Sequence, residues 1–128
     1  EMNNLIVEKK LQKKITFIDY INDDNLIELY LNCRFVMFCP YDEDFGYITI
    51  ESMKFKKAVL TTKDSGGPLE LLNNTNSIIC EPQIKSIANG IIILTQNENY
   101  KLLGTRSYKD YEDLNLNWDN IISNLLTS

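Results

Sequence analysis

The chain has no histidine among its 128 residues, and it has only three cysteines. Without histidine, the usual zinc ligand sets and the serine–histidine pair of a hydrolase are both missing. The cysteines are odd in number and show no CxxC spacing, which favours a reduced cytosolic protein in which they are small core residues. The composition therefore argues against a zinc site and against a serine hydrolase.

Long apolar runs and long basic runs are also missing. No apolar run approaches the roughly 20 residues that cross a bilayer. The 13 basic and 18 acidic residues give a net charge of −5, so we expect no nucleic-acid partner. A peripheral contact with anionic lipid stays open because four lysines share a helical pattern with apolar residues, although a solvated face is the simpler interpretation. These are Lys9, Lys10, Lys13 and Lys14. We expect a cytoplasmic protein, with the cytosolic membrane face as the alternative.

Short apolar strands alternate with helical patterns along the chain, and 44% of the residues are apolar. This alternation indicates the α/β class, with a parallel sheet covered by helices. The length suits one domain with its own core. The predicted strands are 15–18, 34–38, 58–61 and 77–80. The predicted helices are 3–14, 22–31, 46–55 and 68–72, a helical stretch after Pro82, and a terminal helix at 118–126.

Three unusual loops follow predicted strands, at 19–22, 40–45 and 62–67. Ligands of α/β proteins bind at the carboxyl ends of the strands, so these loops are expected at the ligand-binding edge. The second loop leads through a Phe45-Gly46 turn into a helix, and the third contains the pair Gly66-Gly67, which permits close backbone approach. The convergence of the loops predicts a ligand site.

Glu43 and Glu51 flank the Phe45-Gly46 turn, with seven residues between them. A turn from a strand into a helix directs free backbone N–H groups and the positive end of the helix dipole at one point, which favours an anion such as a diphosphate. Carboxylates beside that point can bind hydroxyl groups. The arrangement predicts a pocket for a ligand with phosphates and hydroxyls, such as a nucleotide sugar.

Both glutamates also have simpler interpretations. Glu51 interrupts an apolar stripe of its helix, so its carboxylate needs a partner, which is either a nearby lysine or a polar ligand such as a ribose diol. Glu43 lies in a run of three acidic residues, 42–44, of the kind that usually forms an exposed turn. A calcium site is disfavoured because the spaced ligand pattern is missing.

The residues from Phe38 to Met53, which include Glu43, Phe45-Gly46 and Glu51, resemble the donor-binding half of retaining GT-B glycosyltransferases of family 4, the group 1 glycosyl transferases. The resemblance continues through 58–62 and 65–70. Residues 16–21 look like the strand and loop beside the nucleobase, and 118–126 look like the closing C-terminal helix. The resemblance implies a Rossmann-like three-layer fold and one nucleotide-sugar-binding domain over residues 1–128.

The resemblance implies a hexosyltransferase that moves a sugar from a nucleotide-diphosphate sugar to a glycan or lipid-linked acceptor with retention of configuration. No metal or other cofactor is expected to be obligatory. Glu43 is then the catalytic carboxylate, which contacts the donor sugar, and Glu51 binds the ribose hydroxyls. Tyr20 and Ile21 lie near the base. The other donor-binding residues, whose amides hold the sugar and the phosphates, are Asp44, Phe45, Gly46, Tyr47 and Ile48.

The sequence departs from the family pattern in three respects. Ser52 replaces a common alanine, Lys56-Lys57 replaces a more usual Gly-Lys, and the acceptor-binding N-terminal domain is missing together with the first strand, loop and helix of the donor domain. We therefore expect a donor-binding fragment that needs the N-terminal domain of the same protein and cannot turn over alone. The alternatives are a non-catalytic α/β nucleotide-binding module and a GT-B nucleotide-sugar epimerase.

Overall fold

The protein is described by a computed structural model that covers residues 1–117. Its helices are α1 (Met2–Glu8), α2 (Asp23–Asn32), α3 (Tyr47–Lys54), α4 (Ile84–Thr95) and α5 (Asn99–Asp113). Its strands are β1 (Phe35–Met37), β2 (Ala58–Thr62) and β3 (Ser77–Cys80), and 3₁₀ turns occupy Gly67–Glu70 and Gln96–Glu98. The predicted α/β class is confirmed. The terminal helix predicted at 118–126 lies outside the described residues.

The described strands form one parallel sheet in the order β1-β2-β3. Phe35 lies opposite Ala58, and Val59 lies opposite Ser77. Every residue of the central strand β2 is buried, as expected for a parallel strand that is covered on both faces. Parallel strands need crossover connections, and α3 lies in the connection from β1 to β2.

A buried apolar cluster joins the sheet to α4 and α5. Its members are Ala58, Leu60, Cys80, Leu94 and Leu103, which come from β2, β3, α4 and α5. Gly90 lets α4 approach the sheet, since an added Cβ there would lie 2.8 Å from a methyl carbon of Leu60. The core therefore lies beneath α4 and α5, and the acidic loop at 41–45 is exposed.

Two predictions near the start of the sequence are wrong. Residues 15–18 form no strand, and Ile15, Phe17 and Ile18 are 41%, 54% and 52% exposed. An apolar run becomes a strand only beside a partner that completes its hydrogen bonds, and no described strand pairs with this run. The first helix ends at Glu8 instead of Lys14 because Lys10 adopts φ 56 and the amide of Leu11 donates back to Ile6, a closure that ends a helix.

Candidate functional site

Two loops at the carboxyl ends of β1 and β2 pair with each other through backbone atoms. The amide of Asp42 donates to Asp64 at 2.8 Å, and the amide of Glu43 donates to Ser65 at 3.0 Å. In return, the amide of Gly67 donates to the Glu43 carbonyl at 2.7 Å. The acidic loop and the glycine loop therefore extend the β1–β2 ladder beyond the strands themselves.

The close approach predicted for Gly66-Gly67 is present, and the group that approaches is the acidic loop. Gly66 has φ 78, and a Cβ added there would lie 2.6 Å from the carbonyl oxygen of Glu43. A Cβ on Gly67 would collide with the Asp44 carbonyl. A side chain at either glycine would separate the loops, so the pair fixes the backbone position of Glu43.

Gly46 places the start of α3 beside these loops. It precedes the first helical residue, Tyr47, and has the left-handed values φ 71 and ψ 69, which favour glycine. Its Cα is tightly enclosed, since an added Cβ would lie 2.8 Å from Pro68 Cγ and 3.0 Å from Phe38 Cε1. The conformation and the space both require glycine at the turn that the sequence singled out.

The amides of residues 44–48 donate to no acceptor within residues 1–117. Free N–H groups are expected at the first turn of a helix, where the dipole adds a partial positive charge. The side chains of Phe45 and Tyr47 are exposed and meet edge to face, with ring centroids 5.2 Å apart. The structure thus groups the predicted residues Asp44, Phe45, Gly46, Tyr47 and Ile48 at one anion-attracting turn. The side chain of Glu43 lies exposed at the same turn.

Glu51 is half-buried on α3 and has a partner that the sequence analysis missed. The Tyr30 hydroxyl on α2 donates to Glu51 Oε2 at 2.8 Å. Tyr30 is 7% exposed, and its ring stacks on Phe55 with centroids 5.2 Å apart and an interplanar angle of 3°. Burial, and then the hydrogen bond to Glu51, raises the pKa of Tyr30. Since the tyrosine stays protonated, it remains a donor to the carboxylate.

The predicted base contacts lie apart from Glu51. Tyr20 and Ile21 line a groove of about 360 Å³ with residues 25, 28, 29 and 32 of α2. Glu51 lines a cleft of about 290 Å³ with residues 23, 26, 27 and 30 of the same helix and with Lys54 and Phe55 of α3. Because these two residue sets project from nearly opposite sides of α2, the structure does not bring Tyr20 and Ile21 into the Glu51 cleft.

Within residues 1–117, the structure gathers no group of three or more side chains that would suit a metal ion. No helix in that part of the chain has the length and apolar character needed to cross a bilayer. The arrangement that the loops do build is a cluster of backbone donors beside the exposed Glu43. Glu51 lies one turn further along α3, in the cleft against α2, which none of residues 43–48 lines. Chemically, the arrangement suits a ligand with negatively charged oxygens and neighbouring hydroxyls.

Solved structures share this fold. Sucrose-phosphate synthase from Thermosynechococcus elongatus superposes with a TM-score of 0.83 at 22% identity, over 98% of this chain and 32% of the synthase. HepE of Anabaena, in complex with UDP and glucose, gives a TM-score of 0.82 at 20% identity, over 99% of this chain and 36% of HepE. The C-terminal domain of LpcC from Francisella tularensis, a glycosyl transferase group 1 family protein, gives 0.76 at 25% identity, over 88% of this chain and 59% of that domain. The predicted fold, that of the C-terminal half of a GT-B glycosyltransferase, is confirmed.

The family profile "Glycosyl transferases group 1" matches residues 1–110, and the chain belongs to this family. The mouse alpha-1,3/1,6-mannosyltransferase ALG2 is 30% identical over 83 residues, which are 64% of this chain and 20% of the mouse protein. ALG2 of Dictyostelium discoideum is 29% identical over 115 residues, which are 88% of this chain and 27% of that protein. The chain therefore spans about a fifth to a quarter of the length of these relatives.

Proposed function

We propose that this chain is the donor-binding domain of a retaining family 4 hexosyltransferase, which moves a sugar from a nucleotide-diphosphate sugar to a glycan or lipid-linked acceptor. The observation that carries the proposal is the set of unpaired amides at residues 44–48, which Glu43 precedes and Glu51 follows in the sequence. The solved complexes of HepE with UDP and with UDP-glucose support this class of ligand.

Each group at the turn has a distinct role in this proposal. The amides of residues 44–48 and the α3 dipole hold the diphosphate and offset its charge, so no metal or other cofactor is obligatory. Glu51 accepts hydrogen bonds from the ribose hydroxyls. Glu43 contacts the donor sugar and stabilises the positive charge that develops at its anomeric carbon. The contact of Tyr20 and Ile21 with the base remains a prediction. Their groove is lined by other residues than the Glu51 cleft.

The chemical step that we propose is attack on the same face of the sugar from which the diphosphate departs. The bond from the anomeric carbon to the phosphate oxygen breaks, and a bond from that carbon to the acceptor oxygen forms. The departing phosphate oxygen takes the proton of the acceptor hydroxyl, so the charges balance and the configuration is retained. Glu43 supplies electrostatic stabilisation during this exchange.

The rest of the machinery is proposed to come from outside this chain. The relatives are about three times as long as this chain of 128 residues, since 83 matched residues are 20% of the mouse protein and 115 are 27% of the Dictyostelium protein. That length leaves room for an acceptor-binding N-terminal domain. We propose that the chain is inactive without that domain. We also propose that the intact protein works in the cytoplasm, where the lysines of 9–14 contact a membrane that carries the acceptor.

A thermal-shift panel of UDP-, GDP- and ADP-sugars on the intact protein tests the ligand class. A ligand at 100 times its Kd stabilises the folded state by about 2.7 kcal/mol, which is readily measured. If none of the three classes raises the melting temperature, the proposed donor site is wrong.

Glu43→Gln tests the catalytic role. This variant should bind the donor within about twofold of the natural protein but transfer sugar at least about 100-fold more slowly, because it lacks the charge that stabilises the transition state. Asp42→Asn is the matched control, since Asp42 has φ 48 and asparagine tolerates that conformation. The control should keep its activity. Equal transfer rates in Glu43→Gln and Asp42→Asn would show that Glu43 takes no part in the reaction. Conversion of the donor without an acceptor would favour the epimerase alternative.

A further inference from the structure

We infer that Tyr30 is a positioning residue that holds the Glu51 carboxylate in the orientation that receives a ribose diol. The inference rests on the proposed function, since it concerns how the same site binds its nucleotide. Tyr30 lies on α2, outside the loops that carry the predicted site. It reaches Glu51 through a hydrogen bond of 2.8 Å between elements that are 21 residues apart in the chain.

The hydrogen bond occupies one oxygen of the carboxylate and leaves the other available. Tyr30 donates to Oε2, and Oε1 has no partner within residues 1–117. An ionised carboxylate has about four acceptor positions, so a bond from Tyr30 still leaves enough of them for two ligand hydroxyls. The group therefore combines one fixed contact with free acceptor capacity in a cleft of about 290 Å³.

The Tyr30 hydroxyl is itself held in place. The ring is 7% exposed and stacks face to face on Phe55. Phe55 follows Glu51 by four residues, so both project from the same side of α3 and Tyr30 contacts the pair together. The position of the hydroxyl is thus set relative to the helix that carries the carboxylate.

A second link fixes α2 against the segment after α3. Lys57 Nζ donates to the Leu31 carbonyl at 3.0 Å and to the Cys33 carbonyl at 2.9 Å, at the C-terminal end of α2. A cation there satisfies carbonyls that would otherwise lack partners and interacts favourably with the helix dipole. Because both ends of the Tyr30–Glu51 contact are anchored, the hydrogen bond can preorganise the carboxylate.

Preorganisation has a measurable effect on affinity. An unrestrained glutamate must lose rotational freedom when a ligand binds, and prior immobilisation of such a side chain is worth about two- to tenfold in Kd. The effect is specific to ligand groups that contact Glu51. A purely structural role for Tyr30 would instead weaken all ligands of the domain alike.

The experiment compares UDP, GDP and ADP with their 2′,3′-dideoxy forms, by calorimetric titration of the intact protein. The natural protein should bind the dideoxy form of its preferred nucleotide at least about tenfold more weakly, since the diol contacts a charged group. Tyr30→Phe keeps the ring and removes the hydroxyl. It should weaken the ribose nucleotide about fivefold, leave the dideoxy nucleotide unchanged and so reduce the discrimination by the same factor.

Tyr108→Phe is the matched control, because it removes the same kind of hydroxyl from α5, outside the Glu51 cleft. Its discrimination between the ribose and dideoxy nucleotides should stay within about twofold of that of the natural protein. If Tyr30→Phe unfolds at the assay temperature, the titrations are run in trimethylamine N-oxide, which favours the folded state. If Tyr30→Phe weakens the binding of the ribose and dideoxy nucleotides equally, or weakens neither, the inference about Tyr30 is wrong and the proposed function still stands. Failure of every nucleotide to bind the natural protein overturns the proposed function, and the inference with it.

Discussion

Replacement of Gly66 by alanine tests whether the glycine loop fixes Glu43. Gly66 has φ 78 and ψ −128, a conformation that residues with a side chain rarely adopt and that costs roughly 1 to 3 kcal/mol. The new methyl carbon would lie 2.6 Å from the Glu43 carbonyl oxygen and 2.9 Å from its amide nitrogen. Since both are backbone atoms, the contact is relieved only if the two loops separate.

The size of that separation gives the expected effect. The distance must grow from 2.6 Å to an ordinary contact of 3.4 Å, a displacement of about 0.8 Å. Misplacement of a reacting group by about 1 Å lowers a rate by about 100-fold. We expect Gly66→Ala to lower the free energy of unfolding by about 2 kcal/mol through backbone strain, and to lower the transfer rate by about 100-fold.

Urea denaturation followed by circular dichroism measures the first effect, and a transfer assay with saturating donor measures the second. Asn74→Ala, in the exposed loop before β3, is the control and should stay within about 0.5 kcal/mol of the natural protein. If Gly66→Ala has the same free energy of unfolding and the same transfer rate as the natural protein, the reasoning is refuted. A loss of stability with an unchanged rate would show that the loops separate without moving Glu43.

Two further predictions concern buried polar contacts. Asn76 is fully buried and donates to the Leu71 carbonyl and to Asp110, so Asn76→Leu should lower the free energy of unfolding by about 2 to 4 kcal/mol in urea denaturation. A urea midpoint for Asn76→Leu equal to that of the natural protein would contradict this prediction. Tyr30 binds its proton more tightly in the folded state, because burial raises its pKa above the ordinary 10.0. The resulting stability is complete below about pH 10 and declines above it, so the natural protein should lose stability above about pH 10 more steeply than Tyr30→Phe. Parallel pH profiles would contradict this.

Local signals in the sequence predicted much of the fold. The apolar run at 58–61 and the run at 77–80 became β2 and β3 because each finds a parallel neighbour. Asn22 accepts a hydrogen bond from the amide of Asn25, as its place before Asp23 suggested. Gly46 occupies a left-handed turn at the start of α3. The cap at Asn22 and the turn at Gly46 depend on residues close together in the chain, so local patterns identify them.

Contacts between distant segments were not predictable in the same way. Tyr30 belongs to the apolar face of α2, and nothing in its spacing indicates a carboxylate partner 21 residues away. The glycine pair was predicted to permit close approach, but its partner, the backbone of Glu43 and Asp44, is defined only by the register of β1 on β2. Residues 15–18 have the apolar character of a strand and lack a pairing neighbour within residues 1–117.

Because Glu43 pairs with Ser65 and Gly67 through main-chain atoms, its backbone position does not depend on the side chains of its neighbours. The backbone at Glu43 is held by hydrogen bonds that any amino acid with an amide and a carbonyl could make. Side chains at the neighbouring exposed positions, such as Phe45 and Tyr47, can therefore be exchanged without shifting the acid. If the proposed site is correct, its ligand preference can be engineered at those positions while the backbone of Glu43 keeps its place.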